Sequence, residues 1–312
     1  MTMKKHPAVF QSVVNRLPVF ISLSALLVCL YYTFAAAYLA PYPGLDFESD
    51  WIVDDIPACE ARIVWCEADR DALQIGDQLI TIGNLSHEEY LLNKNLIPFE
   101  DYQPGESVTI TLMRNGEERS AVWVILGPTI AARLSRLSEF LVYFPFWLAG
   151  TGILLLLRPQ DQRWRLLILF NYATAIYLAI GMAAYLVAYS NMVLHALTWL
   201  VVPIYIHLHL TIPTSLFPHG RRHYIYAFYI IAIVLCLLEL FQILPERTFY
   251  LGLVLAILGS LGLLTYRLFT PRSTSERLAL RLMFLGIGLA FLPSLILVII
   301  PPLFQVDFPP LT

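Results

Sequence analysis

The chain has 312 residues, of which 58% are hydrophobic and only 14% charged, with a mean hydropathy of +0.67 and a formal net charge of -3. A soluble protein carries roughly 25% charged residues, so this composition excludes a wholly soluble fold and requires most of the chain to face lipid or other helices. The charges are segregated: between Pro41 and Arg136 there are 17 Asp and Glu against 7 Lys and Arg, and elsewhere 6 against 13, so the acidic part has no basic stripe and nucleic-acid binding is excluded.

After a cytoplasmic tail over residues 1–17, the first apolar run extends from Pro18 to Ala40. Crossing a bilayer core of about 30 Å takes about 20 apolar residues in a helix, because lipid offers no partner to backbone N–H and C=O groups. Ala35, Ala36 and Ala37 stand like a signal-peptide cleavage site behind a basic tail, but the run exceeds the roughly 7 to 15 residues of a signal core, so a retained span is expected.

From Pro41 to Pro128 the pattern changes to short β-prone segments separated by turn residues, which predicts a folded domain with its own core. Ile63-Val64-Trp65 is an early strand candidate. Gln78 to Ile82 forms a strand entered through Gly76-Asp77 and left through Gly83-Asn84. Ser86-His87-Glu88-Glu89 has the form of a capping box, predicting a helix to about Leu96. Val108, Ile110 and Leu112 alternate with polar residues in a strand over Ser107–Met113. Asn115-Gly116 is a hairpin turn and Ser120 to Leu126 the return strand.

Six further apolar stretches are expected to span: Leu137 to Leu157, Leu166 to Tyr189, Met192 to Phe217, Tyr224 to Leu244, Phe249 to Tyr266, and Leu282 to Ile300. The last six form a bundle over residues 137–300, followed by a tail over 301–312. Twelve Lys and Arg fall in the N-terminal tail and in the short connections after the second, fourth and sixth spans, against Arg247 alone in the opposite short connections. The excess of positive charge places the N-terminus in the cytoplasm and the folded domain outside. The expected fold class is thus an α-helical membrane bundle of about seven helices with an inserted extracytoplasmic α+β domain.

Leu73-Gln74-Ile75-Gly76-Asp77-Gln78-Leu79-Ile80-Thr81-Ile82 resembles the Leu-x-x-Gly-Asp-x-Ile-x-x-Ile signature of bacterial PDZ domains, and Pro104-Gly105 with Val108 to Arg114 and Gly116 resembles the closing hairpin of that family. Two departures occur at turn positions. Ala72 replaces a Gly, and Gly83-Asn84 reverses the usual Asn-Gly. The resemblance implies capture of an extended peptide by strand addition, with backbone N–H groups receiving a terminal carboxylate. Gly44-Leu45-Asp46-Phe47 is similar to the family's Gly-Leu-Gly-Phe carboxylate loop, except that Asp46 places a negative charge where an anion would dock. A plain linker over the same residues, and a structural PDZ-like domain without a ligand, are the alternatives.

Cys59 and Cys66 lie in this segment, where an oxidising compartment permits a disulfide, the alternative being two free thiols. Cys29 and Cys236 read as packing residues in spans. Among intramembrane polar residues, His207, Glu239 and Asn171 are candidates to line a ligand cavity, with interhelical hydrogen bonding as the alternative. His207 and His209 are about 200° apart around a helix, so a shared metal is not expected, and no cofactor is implied.

Catalysis is not expected. His87-Glu88 is followed by Leu91 where a metalloprotease would have its second His, and no Gly-x-Ser-x-Gly elbow or phosphate loop occurs. The order of one span, a PDZ-like domain and a bundle of spans, with His207-Leu208-His209 ahead of Phe217-Pro218 and Arg221-Arg222, resembles the sensory half of quorum-sensing histidine kinases of the competence-pheromone type. That implies a signal-receiving module with an extracellular peptide or protein C-terminus as ligand and a cytoplasmic kinase in cis or in trans. Since the sequence stops at Thr312 before any kinase, it reads either as a truncated sensor or as a free-standing receptor. A membrane-tethered PDZ adaptor is the alternative. A transporter is disfavoured by the lack of an internal repeat.

Overall fold

The computed structural model describes residues 8–47, 51–56, 73–93, 95–158, 160–184, 186–216, 222–245, 248–269, 277–278 and 280–286. Two compact units emerge: Leu30–Val142 with Ala179–Asn191, and Met1–Cys29 with Tyr143–Leu178 and Met192–Thr312.

Among the described residues six helical stretches are long and apolar enough to cross a membrane: Val19–Leu39, Ile130–Leu156, Gln162–Ala183, Ser190–Thr211, His223–Leu240 and Thr248–Phe269. They make the chain a multi-pass membrane protein. Their outward residues are apolar, among them Phe20, Leu27, Leu156, Ile230 and Phe269, the last 84% exposed. That pattern inverts the polar surface of a soluble helix because the surrounding solvent is hydrocarbon. The expected seventh span, Leu282–Ile300, lies outside the described residues beyond position 286; residues 280–286 are helical.

The helices are α1 (Ala8–Phe34), α2 (His87–Leu92), α3 (Ile130–Glu139), α4 (Phe144–Leu156), α5 (Gln162–Ala183), α6 (Ser190–Thr211), α7 (Arg222–Leu240) and α8 (Thr248–Phe269). A wider π-type turn over Ala35–Leu39 continues α1, and a 3-10 turn over Phe140–Tyr143 joins α3 to α4. The second span therefore begins before the expected Leu137, because Thr129 caps α3 by accepting a hydrogen bond from the Ala132 N–H. The fourth span ends at Thr211 rather than Phe217, two residues short of Pro213, whose ring cannot continue a helix. Pro203 sits inside α6.

Within the helical unit, small residues and hydroxyls set the packing. A Cβ on Gly150 of α4 would stand 2.8 Å from Tyr172 and 3.1 Å from Asn171 of α5, so only glycine permits this approach. Ser22, Thr151 and Tyr172 link α1, α4 and α5 through hydroxyl contacts of 3.1 Å each, and the Trp147 indole N–H donates to the Ser22 carbonyl.

Among the described residues the inserted segment carries six strands: β1 (Asp46–Phe47), β2 (Val53–Asp55), β3 (Gln78–Ile82), β4 (Leu85–Ser86), β5 (Ser107–Arg114) and β6 (Glu117–Val124). The main sheet is antiparallel in the order β4-β3-β5-β6, and β1 pairs with β2 separately. The hairpin turn between β5 and β6 has positive φ at both Asn115 and Gly116, the geometry that matches strand twist. Alternation sends Val108, Ile110, Leu112, Ala121 and Trp123 inward, onto Leu45, Trp51, Val53, Leu73 and Leu79. The capping box of α2 forms as expected, with Ser86 Oγ accepting from the Glu89 N–H and Glu89 accepting from the Ser86 N–H. The helix stops at Leu92 rather than Leu96, because Asn93 adopts an extended conformation. The expected strand at Ile63–Trp65 lies outside the described residues.

The ends of the segment are tied together. Gly127 N–H donates to the Tyr42 carbonyl, and the Trp123 indole donates to Pro43. Arg136 lies over the Tyr42 ring at 3.5 Å and donates to the carbonyls of Ala36 and Pro41. One guanidinium thus closes the helix end that leads into the segment onto the helix that leads out.

Candidate functional site

The Gly44–Phe47 run is anchored to the core of the segment by Leu45, while Asp46 is exposed. Gly44 has φ +77, and a Cβ there would collide with Leu126. Leu45 is buried in the core, Asp46 and Phe47 pair through their backbones with Asp55 and Val53, and the Phe47 ring meets Trp51 edge-on at 6.0 Å. Trp51 has φ +60 and is fully buried; its indole stacks on His87 at 5.1 Å and lies 5.3 Å from Tyr90. The indole therefore bridges β1 to α2. No local sequence pattern marks Trp51 for that position.

The Gly76-Asp77 turn contains an electrostatic anchor. Arg114 donates through Nε and Nη2 to the two carboxylate oxygens of Asp77 at 2.7 and 2.6 Å, and the Gln74 N–H donates to Asp77 at 2.7 Å. Burial pushes the Asp77 carboxyl upward, but the Arg114 and Gln74 hydrogen bonds more than offset this and hold it below the ordinary aspartate value. The Asp of the Gly-Asp turn thus locks β3 to the end of β5.

The three polar residues proposed to line a cavity are not brought together. His207 lies near the end of α6, with Nε2 3.2 Å from Gln162 Nε2 and Nδ1 3.3 Å from the Tyr229 hydroxyl. It lines a cavity of about 300 Å³ together with Asp161, Gln162, Arg165 and Tyr226. Asn171 is buried on α5, and its amide donates to the Leu167 carbonyl of its own helix. Glu239, at the end of α7, is 0% exposed and stands 3.3 Å from Nδ1 of the equally buried His195 near the start of α6. The His195 ring lies parallel to Phe249 at 3.7 Å. His195 and Glu239 thus form a buried acid–imidazole contact between two helices, with an α8 aromatic on the imidazole face. His195 and Glu239 are 44 positions apart, and nothing in either local pattern announces the other.

Cys59 and Cys66 lie outside the described residues, while Cys29 and Cys236 are buried thiols outside any disulfide. Among the described residues no group of three His, Cys, Asp or Glu side chains is placed to hold a metal ion. No protein-family model, curated protein or solved structure matches the chain.

Proposed function

We propose that this chain is the signal-receiving module of a membrane receptor, in which a PDZ-like segment outside the membrane captures an extended peptide and the helices respond. The observation that carries this reading is the element order between the first two membrane helices. A Gly-led strand, the Gly-Asp strand β3, a capped helix and a closing hairpin follow one another in the order that the PDZ resemblance implies. β1 pairs with β2 outside the main sheet, and strand addition along β1 beside α2 is the capture mode this reading requires. Phe47, partly buried on β1, is the apolar side chain that would meet the peptide, with the fully buried Trp51 packed against it.

The helices supply the responding half. Thr174–Tyr205, Thr198–Tyr177 and His195–Glu239 are discrete interhelical polar contacts. Exchanging such contacts separates one helix packing from another, and a ligand that prefers one packing shifts the balance toward it. A kinase, in cis or in trans, is the partner such a shift would bias. A membrane-tethered adaptor shares the capture step and lacks the helix response.

The test uses the full chain in nanodiscs, spin-labelled on α7 at Ile231 and on α8 at Leu258, titrated with peptides bearing free or amidated C-termini. The receptor reading expects saturable binding that amidation abolishes, together with a changed distance between the labels. Binding without a distance change favours the adaptor, and absence of any binding sinks both.

A further inference from the structure

We propose that a half-open cavity lined by α5, α6, α8 and residues 280–286 binds a single-chain amphiphile with a carboxylate head, a fatty acid by chemical class, whose head is received by His209 and Ser260. The cavity measures about 300 Å³, and Phe170, Leu208, Ile257 and Met283 are among its apolar walls. That volume is at the lower end for small-molecule sites, room for one chain and not for the paired chains of a phospholipid.

Two polar groups interrupt this apolar lining. His209 is 3% exposed and Ser260 2%, and neither His209 Nδ1 nor Ser260 Oγ has a hydrogen-bond partner among the described residues. Ser260 is unusual among its neighbours: Thr151, Thr174, Thr198 and Thr265 all donate to the carbonyl four residues earlier in their own helices. A buried hydroxyl with no bond loses its full solvation, so a site that keeps one is shaped for a polar group from elsewhere. The third polar wall group, Tyr205, already contacts Thr174 at 3.0 Å.

The charge of the head follows from Arg267. It is seven residues beyond Ser260 on α8, hence on the same face, and it is buried. It donates to the Thr214 carbonyl at 2.6 Å, and Thr214 lies five residues beyond His209. A carboxylate has two acceptor oxygens for the Ser260 hydroxyl and His209 Nδ1–H, and Arg267 is the one charged residue of α8.

This site lies on the helices and is independent of peptide capture by the inserted segment, so failure of either proposal leaves the other standing. Its test is photolabelling of the full chain in nanodiscs with a diazirine-bearing lauric acid, with lauric acid, dodecanol and a lysophospholipid as competitors. Labels are expected on Leu208, Ile257 or Met283. Lauric acid should compete about tenfold more strongly than dodecanol, the difference made by hydrogen bonds to a charged head. Ser260→Ala should lower labelling about tenfold on the same ground, and Ala256→Phe, which fills the cavity, should abolish it while the thermal unfolding profile stays intact. Labels spread over lipid-facing residues such as Leu27 and Ile230, and unchanged by Ala256→Phe, would overturn the site. Equal competition by dodecanol, or stronger competition by the lysophospholipid, would overturn the fatty-acid assignment, and the wild-type competition decides this even where a variant fails to fold.

Discussion

Replacing Asp77 by Ala removes a carboxylate that accepts three hydrogen bonds in the inserted segment, two from Arg114 at 2.7 and 2.6 Å and one from the Gln74 N–H at 2.7 Å. The Asp77 side chain is 3% exposed and that of Arg114 14%, so the substitution takes from a half-buried guanidinium the counter-charge of this pair. Losing hydrogen bonds to a charged group in such a setting costs about 1.5–3 kcal/mol. A segment of this size is stable by roughly 5–13 kcal/mol, so the loss consumes a large share of it. Asp77→Asn keeps an acceptor for Gln74 and should cost about half as much, whereas Asp77→Ala with Arg114→Met should recover part of the loss, because no charge is then stranded. The assay is denaturant unfolding of the full chain in nanodiscs, followed through the fluorescence of buried Trp51 and Trp123. The same pair fixes a pH dependence. Because the folded carboxyl titrates below its unfolded value, its contribution is fully present above about pH 4 and is lost as pH falls through the lowered folded value. An Asp77→Ala variant within about 0.5 kcal/mol of the parent would refute the assignment of Asp77 as the lock between β3 and β5.

Gly150→Val should destabilise the helical unit by about 1–3 kcal/mol, since its Cβ would stand 2.8 Å from Tyr172, and thermal unfolding in nanodiscs measures it. Glu239→Ala should cost about 1–2 kcal/mol by stripping His195 of its acid contact, with Glu239→Gln restoring most of it; equal losses in the two variants would count against a polar role. Ser86→Ala removes the cap of α2 and should weaken the inserted segment by about 1 kcal/mol in the same fluorescence assay.

Parts of this protein follow from local chemistry alone. Long apolar runs such as Thr248–Phe269 announce helices because only a helix satisfies its own backbone in lipid. The alternation of Val108, Ile110 and Leu112, the Asn115-Gly116 turn and the Ser86–Glu89 capping box are likewise legible within a few residues, and each forms where expected. The boundaries were less legible, because Thr129 starts α3 through its side-chain hydroxyl and Asn93 ends α2 through an extended backbone, and neither shows in the apolar pattern around it. His207, Glu239 and Asn171 were all visible as polar residues in spans, yet they end in three separate environments.

The membrane-helical class, the inserted α+β segment, the hairpin turn and the capping box were therefore set by the chain locally, since those depend on the solvent, the backbone and a few adjacent residues. The tertiary structure alone decided which polar groups meet: His195 with Glu239, Asp77 with Arg114, Trp51 with His87, and His209 with Ser260 around one cavity. Those partners are far apart along the chain, and the strength of each contact comes from burial, which a residue acquires only when its neighbours from other elements close around it.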